Sequence, residues 1–273
     1  MPDAVEARAF YVEQVWPRLD DELRARVRQR WPRLRLEPAP GYRPLAELPL
    51  RLLCGLTGSG KSTTLAALRR EGRRQFREDL PSRRDLADLI LIPTAQLHGG
   101  QAIHPVHDRS ERFRWTQRFA QEISSGGSAS AFTWLYYRPD GNTALLGEGL
   151  RGAREISAAL RDCPRWRIAE LWLEPLLRLR RLGGRDEAFD ALASGAADLT
   201  WLPAAQQARA RELLAAGEIS ARALVIATAE ARNYGALPFA GDHLNYRCLR
   251  MDELTPQQAA RAAGDFLFAP ETA

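Results

Sequence analysis

Leu50-Arg51-Leu52-Leu53-Cys54-Gly55-Leu56-Thr57-Gly58-Ser59-Gly60-Lys61-Ser62-Thr63-Thr64-Leu65-Ala66-Ala67-Leu68-Arg69-Arg70 is the stretch on which the reading of this chain turns. Its first five residues are an apolar run of strand length, and its last nine carry Leu65 and Leu68 with alanines between them at helical spacing. Between the two lies a turn with glycine at 55, 58 and 60. Glycine tolerates positive φ and lets the backbone approach an anion closely, so successive N–H groups can converge on oxyanions, helped by the positive end of the following helix. Strand, glycine loop and helix together predict an anion cradle at the end of a buried strand.

The composition sharpens that expectation. The chain has 273 residues, 45% hydrophobic and 27% charged, which is ordinary globular composition. Of its 39 basic residues 38 are arginine, and the single lysine is Lys61 in the glycine turn. A compact ammonium on a flexible stem stands there, where a planar guanidinium fork would be the wrong shape. The net charge of +5 permits an anionic partner without requiring one. Nucleic acid is compatible with it but not indicated.

Gly55 to Ser62 match G-x-x-x-x-G-K-[ST] in full, and the match resembles the Walker A loop of P-loop nucleoside triphosphatases and kinases. The resemblance implies ATP as ligand, with Lys61 reaching the β- and γ-phosphates and Ser62 on Mg²⁺. Thr57, Ser59 and Thr63 complete the implied nucleotide-binding stretch with the three glycines.

From Leu50 onward, short apolar runs alternate with helix-length stretches, the pattern of a parallel sheet with crossover helices. The candidate strands are 50–54, 88–93, 143–147, 166–173 and 222–228. The expected fold is α/β, three-layer α/β/α, with a mostly parallel five-stranded sheet. Residues 1–49 read as a helical N-terminal extension and linker: Leu19, Leu23, Val27 and Trp31 form one narrow stripe on an arginine-rich helix bounded by Pro17 and Pro32, and Pro38, Pro40 and Pro44 follow. Residues 50–273 form the main domain, with a polar insertion at about 94–130 whose His98, His104 and His107 are spaced too irregularly for a metal site. Thr255-Pro256-Gln257-Gln258 carries the N-cap, proline and Gln of a capping box before a last helix.

Further motifs bear on the reaction. Glu148, after the third strand, is placed to act on Mg²⁺ or a bound water as a Walker B carboxylate would. Trp172 to Asp186 is similar to the strand-to-lid passage of small-molecule and nucleoside-monophosphate kinases, which implies that Arg181 and Arg185 close over the transferring phosphoryl group. That resemblance extends over residues 50–268, although the long insertion departs from it and leaves the acceptor site open. Arg83 and Arg84 are candidates to grip an acidic acceptor, and Asp85 or Asp88 to take a proton from it. A regulatory GTPase is disfavoured, because N-K-x-D needs a lysine and Lys61 is the only one. Ile123 to Ser128 is a weak match to the ABC-transporter signature loop, and there is no length for a second motor domain.

No apolar run is long enough to span a bilayer, the first residues show no secretory signal, and Cys54, Cys163 and Cys248 have neither disulfide nor zinc spacing, so a cytoplasmic protein is expected. The resulting expectation is an ATP- and Mg²⁺-dependent phosphotransferase with an unidentified acceptor. The alternative is an NTPase switch or assembly factor that answers to a protein or RNA.

Overall fold

The computed structural model describes residues 4–71, 76–141, 143–184 and 198–270. Its strands, in chain order, are β1 (Leu34–Arg35), β2 (Arg43–Pro44), β3 (Leu50–Cys54), β4 (Phe76–Arg77), β5 (Tyr136–Tyr137), β6 (Ala144–Gly147), β7 (Arg167–Trp172) and β8 (Tyr246–Arg250). Five of them form one sheet in the order β4-β6-β3-β7-β8, with every pairing parallel. β3 is central, and all five of its residues are buried.

Side-chain alternation divides this sheet between two cores. Leu50, Leu52, Cys54 and Ile168 face one cluster with Ile156 and Ala159 of helix Gly152–Asp162. Leu53, Ala169, Leu171 and Leu249 face the other, with Leu65 of helix Lys61–Glu71 and Ala259, Ala263 and Leu267 of helix Pro256–Leu267. Helices thus cover both faces, and the architecture is the expected three-layer α/β/α. The chain leaves β3 toward β4 and returns beside it as β6, then crosses to the other side for β7 and β8. The carboxyl end of β3 therefore opens where the connections diverge, which is where open α/β sheets form ligand crevices.

Two of the five expected strands are helices instead. Residues 83–98 form one helical run, its middle part, Ala87–Leu91, wound as a π-helix. Leu86, Leu89, Ile90, Leu91 and Ile92 are all buried, so the middle of this helix is an unbroken apolar run and reads like a buried strand. Residues 222–228 belong to helix Ala221–Tyr234, which Ser220 caps by accepting from the Ala223 N–H. The sheet positions fall to β4 and β8. The 94–130 insertion is largely helical, with Arg109–Arg118, Phe119–Ile123 and Ser128–Thr133 in helical conformation and an irregular stretch over 99–108.

The N-terminal segment shares the main core. β1 and β2 both pair antiparallel with β5, and Tyr11, Val15, Leu19, Trp31 and Leu45 bury in the same cluster as β3. Tyr11 donates to the Leu89 carbonyl at 2.9 Å and the Trp166 indole to that of Leu45 at 3.1 Å. The capping box expected at Thr255 is present, with Thr255 and Gln258 each accepting from the other's backbone N–H. Among the described residues no helix is long and apolar enough to cross a membrane.

Candidate functional site

The glycine turn joins β3 to helix Lys61–Glu71 as the sequence predicts, with φ of 139°, 84° and 98° at Gly55, Gly58 and Gly60. At Gly55 a Cβ would lie 2.5 Å from the Leu171 carbonyl oxygen, so the loop is pressed against β7 and no side chain fits. Lys61 Nζ folds back and donates to the carbonyls of Gly55 (2.7 Å) and Leu56 (3.0 Å). Desolvation lowers its pKa to about 8, with a contribution from the nearby Arg151 charge, against which Glu230 and Glu148 act in the opposite sense. A cation so placed gains from a bound anion.

Glu230 is the hub beneath the loop. It stands on helix Ala221–Tyr234 with no exposed side-chain area, and it accepts from the Thr57 N–H (3.2 Å) and the Thr57 hydroxyl. Arg151 (2.7 Å), Arg178 (2.8 Å) and Arg109 (3.4 Å) converge on the same carboxylate. Burial alone would raise this carboxyl. The charges of Arg151, Arg178 and Arg109, with the Thr57 hydroxyl, prevail and hold it down at about 2. One carboxylate thereby fixes the loop, the helix Pro175–Gly183, the insertion and the segment after β6.

A second buried carboxylate, Glu155, does the same on the insertion side. Arg83 meets it with both terminal nitrogens, and the backbone N–H groups of Arg151 (2.8 Å) and Ser128 (3.2 Å) also donate to it. Arg83 lies 4.6 Å over the Tyr234 ring, which stands edge-on to Phe113 at 6.0 Å. Gly152 lets Tyr234 come this close: a Cβ there would lie 2.0 Å from the Tyr234 carbonyl oxygen.

These groups border a cavity of about 580 Å³ above the glycine loop, within the range of small-ligand sites. Thr57, Gly58, Gly60, Lys61, Ser62 and Thr63 line its floor. Met251, Leu254 and Pro256, from the turn after β8, make one side wall apolar. Arg83, Arg84, Arg109, Arg112 and Arg151, with Phe113, Thr116 and Tyr234, also line it. Arg181 is part of the lining, and its Nη1 lies 3.7 Å from where a Gly60 Cβ would stand.

The structure thus brings Arg181, Arg83 and Arg84 together with the glycine loop. Arg185 lies outside the described residues. Glu148 follows the end of β6, half-buried and close enough to raise the Lys61 pKa, but it does not line the cavity. Asp85 does not line the cavity: its carboxylate closes the capping box with Ser82 and pairs with Arg30 at 3.1 Å. Asp88 pairs with Arg112 and likewise does not line the cavity.

Sequence reasoning missed Glu230, Glu155, Arg178, Arg151 and Tyr234. A carboxylate inside an otherwise apolar helical stretch, as in Ala227-Thr228-Ala229-Glu230-Ala231, is the signal that marks such a hub, and the strand expected at 222–228 concealed it.

No family model matches the chain, and no curated protein matches it. Among solved structures, the unliganded crystal structure of a sugar kinase from Janibacter sp. HTCC2649 aligns over 80% of this chain and 92% of its own length, at 15% identity and a TM-score of 0.38. A likeness at that level carries no argument about this chain.

Proposed function

We propose that the chain is an ATP- and Mg²⁺-dependent phosphotransferase acting on a small molecule or nucleotide. The observation that carries this reading is the floor of the cavity, where the glycine loop, Lys61 and Ser62 line one cleft together with Arg109, Arg151 and Arg181. The loop would hold the triphosphate, and Met251, Leu254 and Pro256 would offer the base an apolar surface. Thr57, Arg109 and Arg151, which line the same cavity, would be available to the phosphate oxygens. Lys61 exchanges its two loop carbonyls for phosphate oxygens, which costs two hydrogen bonds and gains charge-assisted ones.

Mg²⁺ carried by a nucleotide asks little of the protein, since most of its ligands are phosphate oxygens and water. Ser62, exposed in the first turn of its helix and lining the cavity, fits as the hydroxyl ligand; Glu148, outside the lining but close enough to act on the Lys61 charge, would have to reach the ion through a bound water. The ion neutralises phosphate charge when bound. Phosphoryl transfer itself is mostly positioning and charge stabilisation. An acceptor oxygen lone pair forms the new bond to the γ-phosphorus, the bond to the β–γ bridging oxygen breaks, and that electron pair leaves on ADP. A hydroxyl acceptor releases its proton to solvent at the cavity mouth. Arg181, on helix Pro175–Gly183 against the loop, offsets charge on the phosphoryl group in flight.

The test is turnover of γ-labelled ATP against pooled nucleosides, nucleotides, sugars and cofactor precursors. Acceptor-dependent consumption that Lys61→Ala abolishes supports the reading. Turnover that responds only to a protein or RNA refutes it in favour of a switch NTPase.

A further inference from the structure

Resting on the phosphotransferase reading above, we infer that the acceptor is an oxyanion-bearing molecule, phosphorylated or carboxylated, held by the arginine wall of the cavity that Arg84 and Arg112 complete. The first argument is charge. Seven cationic side chains line the cavity, Lys61 and six arginines, and its described lining contains no Asp or Glu. Lys61, Arg109, Arg151 and Arg181 adjoin the glycine loop or its Glu230 anchor. Arg83, Arg84 and Arg112 belong to the 83–98 helical run and to the insertion, on the side of Phe113 and Tyr234.

The second argument is hydrogen-bond polarity. A guanidinium presents five N–H donors and no acceptor, so an arginine wall is complementary to a ligand that only accepts. A neutral sugar or nucleoside presents hydroxyl donors as well. Those are met by carboxylates, side-chain amides or hydroxyl oxygens, and on this wall the described lining offers only the hydroxyls of Thr116 and Tyr234 beside its arginines. Phosphate and carboxylate match the arginine fork directly.

The third argument is preorganisation. Arg83 is held by Glu155, the Ser128 hydroxyl (2.9 Å) and the Gly149 carbonyl (2.6 Å), and Arg112 is held by Asp88 and the Val106 carbonyl (3.0 Å). Arginines fixed before the ligand arrives lose little rotamer entropy on binding it. The carboxylates that fix them, Glu155 and Asp88, stand outside the cavity lining, so a guanidinium and not a carboxylate meets the ligand. The edge-on rings of Phe113 and Tyr234 at the same wall give the acceptor's carbon framework an apolar surface.

The experiment saturates the intact protein with the β,γ-imido analogue of ATP, so that the γ-phosphate position is filled. It then titrates matched pairs: AMP and adenosine, glycerol 3-phosphate and glycerol, and glycerate as the carboxylate arm. The expected result is that a charged member binds at least tenfold more tightly than its neutral partner, with the phosphate and carboxylate arms telling which oxyanion is preferred. Arg84→Ala and Arg112→Gln should each weaken that binding at least tenfold and leave the analogue's own affinity unchanged. Arg84 is exposed, so its replacement spares the core, and Arg84→Lys should recover part of the loss. Equal binding of charged and neutral members, or charged binding that both variants leave untouched, overturns the inference while the phosphotransferase reading stands. Failure of the imido analogue to bind is the separate outcome that overturns that reading.

Discussion

Replacing Glu230 by Gln removes one negative charge from a point where three guanidiniums and the Thr57 amide converge. An amide oxygen can still accept from Thr57 or from one arginine, but three guanidiniums lose the carboxylate they share. Removing one partner of a buried ion pair costs roughly 3–5 kcal/mol. The retained amide places this substitution at the lower end, about 3 kcal/mol, or roughly 5 °C in Tm for a chain of this size. Glu230→Ala, which also orphans the Thr57 N–H, should fall further.

The pH dependence carries the same sign. The folded-state pKa of Glu230 lies below its ordinary 4.5, at about 2. Its contribution is therefore complete above the ordinary value and lost as pH falls from about 4.5 toward 2. The stability difference between wild type and Glu230→Gln should be full at pH 6 and shrink across that window. Thermal unfolding followed by circular dichroism, with and without orthophosphate, reads both effects, and phosphate should restabilise the variant more than the wild type because it replaces the missing charge. A variant within about 1 °C of wild type at pH 6, or a difference flat from pH 6 to pH 2, would refute the hub role.

Three further outcomes follow from the site. Because free Lys61 titrates near 8 and a bound phosphate favours its charged form, nucleotide binding at pH 8 should take up about 0.5 proton, falling toward zero at pH 6.5, as read by calorimetry in buffers of different ionisation enthalpy; Lys61→Ala should abolish the uptake. Arg181→Ala should lower kcat and kcat/KM together on the order of 10²-fold, or roughly 3 kcal/mol, with KM for ATP nearly unchanged, whereas an arginine serving only solvation would leave kcat at the wild-type value. Without an N-K-x-D element to select guanine, ATP should bind at least as tightly as GTP in direct titration, and a strong GTP preference would count against the kinase reading.

The fold was legible where local chemistry decides it. Residues 50–70 announce strand, glycine loop and helix; β6 and β7 lie within a residue of their predicted bounds; and the Thr255 capping box is visible as four letters. What failed were the fully buried helices. Residues 89–92 are consecutive buried apolar side chains because their part of the helix is enclosed, and periodicity cannot separate such a segment from a central strand. The capping pair Ser82 and Asp85, just upstream, was the better guide, since a capped start followed by sixteen helical residues leaves no room for a strand. β4, two residues long, offers no pattern to detect.

The candidate site divides in the same way. Gly55, Gly58, Gly60, Lys61 and Ser62 are one contiguous motif, so sequence reveals them. Glu230, Glu155, Arg151 and Arg178 come from separate elements, and in a chain with 38 arginines no single guanidinium stands out until the fold sets it against a buried carboxylate.

The central claim is that this cavity moves the γ-phosphoryl group of ATP to a small acceptor, and following the γ-label tests it most directly. With Mg²⁺ and the acceptor pool, the wild type should place label on an organic product. Lys61→Ala and Lys61→Arg, folded by circular dichroism, should not, since neither restores a compact ammonium to the glycine loop. Label that stays on ATP in the wild type, or that passes to a product equally well in Lys61→Ala, would contradict the account.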